Sequence, residues 1–117
     1  PQTGAANNLA LSFWPNRDLY TAGKPINTHV FNAWTMEATF KPNSVTAYQG
    51  IVGKDGNPIG FAPPIFFKIL AHNSHLELGL VDGSGTFRSL LSQNPLQVGQ
   101  WYSVAGTATA TEMAPSV

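Results

Sequence analysis

Glu37 and Glu77 are the carboxylates whose surroundings best suit acid–base work, because each lies in a stretch that alternates apolar and polar residues. Alternation of this kind puts successive side chains on opposite faces of a strand. Brought onto one concave sheet, the two would stand ~5 Å apart, the separation of nucleophile and acid in a retaining glycosidase. The plainer reading is two solvated strand carboxylates, since nothing in the local sequence marks either as an acid. His72 and His75 flank a turn, and with His29 they form a candidate set for zinc or a similar ion. Polar turn residues explain the same spacing. Asp82-Gly83-Ser84-Gly85-Thr86 is not a nucleophile elbow and reads as a hairpin turn.

Sugar recognition asks for a flat aromatic against which C–H groups stack, and for a few planar hydrogen-bonding groups beside it. Trp14, Tyr20, Trp34 and Tyr48 are the aromatic candidates, with His72, Asn73 and Arg88 as polar partners. Trp14, just before a Pro-Asn turn, is the aromatic best placed to be exposed, whereas Trp34, close to Phe31, suits a core position equally well.

Composition narrows the classes. The 117 residues suffice for one domain with a modest core. Hydrophobic residues make up 43%, which excludes a disordered chain, while charged residues make up only 10%. Six basic residues balance six acidic ones, so no positive field exists to gather nucleic acid or anionic lipid. Ser, Thr, Asn, Gln and Gly take the place of charge, a polar and uncharged surface that suits a secreted, extracellular protein meeting neutral glycans. No cysteine is present, which rules out disulfide staples and thiolate zinc sites. No apolar run reaches the length of a membrane span. With Pro1 first and no signal peptide, the chain reads as a mature secreted product or an excised piece.

The elements that must position these residues are strands. Leu9–Trp14, Trp34–Lys41, Gln49–Lys54, Ile65–Ala71, His75–Val81, Thr86–Leu91 and Trp101–Thr109 read as strands, with a further short one over Leu19–Ala22. Turn chemistry separates them at Pro15-Asn16-Arg17-Asp18, Pro42-Asn43-Ser44, Asp55-Gly56-Asn57-Pro58, His72-Asn73-Ser74 and Asp82-Gly83-Ser84-Gly85. Met36, Ala38 and Phe40 share one face, and Thr35, Glu37, Thr39 and Lys41 the other. Ile65–Ala71 is apolar on both faces apart from Lys68, the mark of a central strand. Capped helical periodicity is absent, so the expectation is an all-β antiparallel sandwich.

The order of these segments resembles a known family. Leu11-Ser12-Phe13, then Phe31, Thr35-Met36-Glu37-Ala38 and Lys41-Pro42, then Ile51-Val52-Gly53-Lys54, the segment Leu76–Val81, and Gly99-Gln100-Trp101-Tyr102-Ser103-Val104-Ala105 follow one another as in the laminin-G-like branch of the concanavalin A-like lectin/glucanase superfamily. The resemblance runs from about residue 9 to 106. It implies a jelly-roll-like sandwich of two curved antiparallel sheets, with Trp101 in the core. It also implies further strands after the Trp101 segment, so residues 1–117 are expected to be one laminin-G-like domain or the N-terminal two-thirds of one, completed by a partner chain or a second copy. The Glu-x-Asp-x-x-Glu strand of the superfamily's hydrolases is missing. Calcium is the ion the resemblance implies, with Asp18 matching an acidic position of the family's first loop and Asp55 and Asn57 forming another oxygen-rich turn. Calcium asks for six or more oxygens, and an Asx-turn explains the same residues. The function expected is a non-catalytic carbohydrate-binding or accessory module of a secreted carbohydrate-active protein, partnered by a glycan or a catalytic domain. The alternatives are part of a glycoside hydrolase using Glu37 or Glu77, and a protein-binding adhesion module.

Overall fold

A computed structural model describes residues 11–13, 19, 29, 31–46, 48–54, 65–69, 73–109 and 112–116, with the backbone alone for 65–69, 115 and 116. Seven strands are present among these residues: β1 (Trp34–Phe40), β2 (Gln49–Lys54), β3 (Ile65–Ile69), β4 (Leu76–Val81), β5 (Phe87–Leu91), β6 (Tyr102–Ala108) and β7 (Met113–Ser116). They form two antiparallel sheets, one in the order β1-β6-β7 and one in the order β2-β3-β4-β5. β3 is interior to its sheet, as its doubly apolar sequence requires.

β1 follows its period of two. Trp34, Met36, Ala38 and Phe40 are partly buried, while Thr35, Glu37 and Thr39 are exposed. Its partner β6 supplies complementary volumes: Trp34 faces Ala108, Met36 faces Gly106 and Ala38 faces Val104. Large residues thus meet small ones across the pair, which lets the inner layer interdigitate without overpacking. Phe40 faces Tyr102, and the two rings stack at 5.7 Å. From the second sheet, Leu76 and Leu78 of β4 project against this layer, and with Val104 and the loop residue Leu96 they form the buried cluster. Ile51, Val45 and Met113 close its edges.

The β4–β5 connection is the expected hairpin. Asp82 donates its N–H to Thr86 O at 2.9 Å, and Gly85 donates to Asp82 O at 2.9 Å. Gly85 has a φ of 82°, the left-handed residue that brings a short hairpin back into register. Asp82 Oδ1 accepts from Ser84 N (3.0 Å), Ser84 Oγ (2.6 Å) and Thr86 N (2.9 Å), while Oδ2 accepts from Arg88 Nε (3.0 Å). The Ser84 hydroxyl foremost, then the Thr86 amide and the Arg88 guanidinium, hold the Asp82 carboxyl well below its ordinary value of 3.8. A lowered carboxyl stabilises the fold above its unfolded-state value and loses that contribution as pH falls. Asp82→Asn is therefore expected to cost stability at neutral pH and to flatten the loss of stability below about pH 4. Thermal melts of both proteins from pH 2 to 7 check this.

Two expectations are corrected and one strand is added. Leu11–Phe13, the described part of the first expected strand, joins neither sheet and is exposed, because alternation without a partner ladder does not make a strand. Leu19 is likewise outside both sheets; the rest of those two segments lies outside the described residues. Trp101 is not core. Tyr102 and Val104 face inward, so the period of two turns Trp101 outward, and it is 44% exposed. Finally, β7 follows β6 through a turn in which Thr109 N donates to Glu112 O at 2.7 Å, although its sequence gives little strand signal.

Candidate functional site

Glu37 and Glu77 do not come together. Glu37 stands on the outer face of the first sheet, opposite Met36, Ala38 and Phe40. Glu77 alternates with the core residues Leu76 and Leu78, and so belongs to the outer face of the second sheet. The whole thickness of the sandwich, about 10 Å between sheets, separates the two faces. A carboxylate pair ~5 Å apart is thereby excluded. Glu77 is also only 7% exposed and lies between Lys68 and Leu91 in the register.

One end of the sandwich brings side chains together instead. β1 ends there at Phe40, β6 begins there at Tyr102, and the second sheet reaches it with Gln49, Ile69, Leu76 and Leu91. Three connections, 41–48, 70–75 and 92–101, meet at this end. Their described parts are stitched by hydrogen bonds: Ser74 Oγ donates to Val45 O (3.0 Å), Leu96 N to Ser74 O (2.9 Å) and Gly99 N to Pro42 O (2.9 Å). Ser74 is the knot, and it is held at a φ of 58°, a left-handed conformation that costs a serine on the order of 1 kcal/mol. Gly99, with a φ of 78°, takes the same conformation without that penalty.

The stitching is reinforced from beneath. Ser92 is buried; its Oγ accepts from Leu76 N (3.1 Å) and donates to Asn94 O (2.8 Å). His75 Nδ1 lies 2.6 Å from Ser92 O, so that nitrogen carries the proton. Gln97 N donates to Tyr102 Oη at 2.8 Å, which pins the 92–101 loop to the ring stacked on Phe40. Asn73 Oδ1 accepts from His75 N at 3.2 Å and thereby fixes the amide at the tip of its turn.

The surface this rigid frame presents is distinctive in charge. The three connections contain no Asp or Glu, and Lys41 is their single Lys or Arg. Exposed amides line the end at Asn43, Asn73, Gln93, Asn94, Gln97 and Gln100. Two aromatics stand among the exposed residues: Tyr48, 61% exposed, and Trp101, with Lys41 Nζ 5.5 Å from its ring centroid. Flat apolar rings beside planar amides can hold a polar, multiply hydroxylated ligand.

Of the residues singled out for ligand contact, Tyr48 and Asn73 lie at this end. Trp34 lies at the other end of β1, against the core, and Arg88 sits at the opposite end of the second sheet, paired to Asp82. Trp14, Tyr20 and His72 lie outside the described residues, as do Asp18, Asp55 and Asn57. With no Asp or Glu in their sequences, the three connections do not by themselves suit calcium, a hard cation that needs six or more oxygens. Among the described residues no group of three His, Cys, Asp or Glu side chains is placed to hold a metal; His29 packs edge-on against Phe31 at 4.6 Å. Away from this end, burial lowers the value of the Lys54 ammonium, at the far end of β2. No helix of the described residues is long and apolar enough to cross a membrane. Sequence reasoning missed Trp101 and Lys41 as surface partners, though the parity of Tyr102 and Val104 carries the signal for the first.

A laminin G domain model, described as the concanavalin A-like lectin/glucanases superfamily, matches residues 15–114. No curated protein and no solved structure matches the chain.

Proposed function

The chain belongs to the laminin-G-like part of the concanavalin A-like lectin/glucanase superfamily, and we propose that it serves there as a non-catalytic carbohydrate-binding or accessory module of a secreted carbohydrate-active protein. One observation carries the reading: the stitched end sets exposed Tyr48 and Trp101 among amide side chains, on three connections whose sequences contain no Asp or Glu. Such a surface recognises hydroxyl-rich ligands through C–H stacking and amide hydrogen bonds. Its rigidity reduces the ordering cost of binding. The zero formal net charge leaves recognition to these local contacts rather than to a long-range field. The placement of Glu37 and Glu77 on opposite outer faces counts against hydrolysis by that pair.

The test combines retention with turnover. On a panel of immobilised polysaccharides the chain is expected to be retained by at least one, with no release of reducing ends during incubation. Release that falls sharply in Glu37→Gln or Glu77→Gln, with the fold intact by circular dichroism, would contradict the proposal.

A further inference from the structure

We propose that the stitched end takes a carboxylate-bearing sugar, a hexuronate unit within a glycan, with Trp101 as its stacking platform and Lys41 as the group that meets the carboxylate. The inference rests on the carbohydrate-binding reading and narrows it.

Lys41 and Trp101 sit at the rim where the stitched end meets the outer face of the first sheet, and the ammonium stands 5.5 Å from the ring centroid. A cation over an indole face is held by the ring quadrupole. A cation at a surface normally has a carboxylate to turn to, and here the surrounding connections supply none. Glu37 shares the face but lies four residues back along β1, about 13 Å by strand rise. Asp82 is at the far end of the other sheet, engaged by Arg88. Among the described residues, Lys41 is therefore a positioned cation with no carboxylate beside it.

A neutral pyranose stacking on the face under Lys41 has to displace the ammonium. A hexuronate displaces it too, but keeps it engaged: its ring C–H groups meet the indole while its carboxylate accepts a charge-assisted hydrogen bond from the shifted Nζ. The amides of Gln97 and Gln100, in the loop leading into Trp101, are on hand for the remaining hydroxyls. Because the formal net charge is zero, no long-range field assists, so the preference is local, modest and weakened by salt.

The experiment is calorimetric titration at low salt with galacturonate and mannuronate trimers and with the methyl ester of each, which keeps the sugar skeleton and removes the charge. At least one acid is expected to bind about three- to tenfold tighter than its ester, an advantage that shrinks in 0.5 M NaCl. That ratio falls to about one in Lys41→Gln and is retained in Lys41→Arg. Equal binding of acid and ester, or a preference that survives Lys41→Gln, overturns the role of Lys41 and leaves the broader carbohydrate reading standing. Tighter binding of tetraglutamate than of either trimer overturns the hexuronate assignment. So does failure of the folded chain to bind any of the four sugars, while retention on the polysaccharide panel separately decides the broader reading.

Discussion

Replacing Leu78 by alanine is expected to lower the free energy of unfolding by about 2–5 kcal/mol. Leu78 is 1% exposed and sits with Leu76, Leu96 and Val104 at the point where the two sheets meet. Truncation removes the transfer free energy of the side chain and leaves a cavity between two hydrogen-bonded layers that collapse only in part. Domains of this size are stable by only about 5–15 kcal/mol, so the loss is a large share of the total. Urea unfolding followed by far-ultraviolet circular dichroism reads it as a fall in midpoint at unchanged slope. Leu91→Ala, on the next strand but 47% exposed, is the control and should cost far less. Equal losses at the two positions would mean that Leu78 is not at the centre of the sandwich.

Trp101→Ala is expected to weaken glycan binding about tenfold or more while leaving the fold nearly as stable as before. The ring is 44% exposed and lies outside the buried cluster, so its removal opens no cavity. What stability it contributes comes from the Lys41 contact, about 0.5–1 kcal/mol at an exposed site. Aromatic anchors, by contrast, carry a disproportionate share of binding energy, and a loss near 1.4 kcal/mol is a factor of ten. Affinity electrophoresis on the best polysaccharide, paired with the unfolding midpoint, separates the two effects. A large fall in midpoint would place Trp101 in a structural role.

These predictions differ in how far the sequence alone reaches toward them. β1 and β6 are legible because a period of two over seven residues leaves one consistent inner face, and the bounds of β2 are recovered in full. β7 is not legible: Met-Ala-Pro-Ser is four residues long and carries a proline, which strands tolerate at edges and bulges, so only its pairing with β6 identifies it. For Trp101 the core position implied by the family resemblance does not hold, because Tyr102 fills the inner position opposite Phe40 and the period of two turns its neighbour outward. Alternation also gives the faces of Glu37 and Glu77 but not their sheets. Sheet membership depends on β1 pairing with β6 rather than with β2, a contact between residues more than sixty positions apart. The stitched end was least visible, since the bonds of Ser74 to Val45 and Leu96 follow no period and join loops distant in sequence.

That end is the centre of the functional account, and amide-shift mapping during an oligosaccharide titration tests it most directly. The account predicts that the Trp101 indole N–H and the backbone amides within 41–48, 73–75 and 92–101 shift together and saturate with one affinity. Shifts confined to the 82–86 hairpin end, or to the outer face around Glu77, would contradict it.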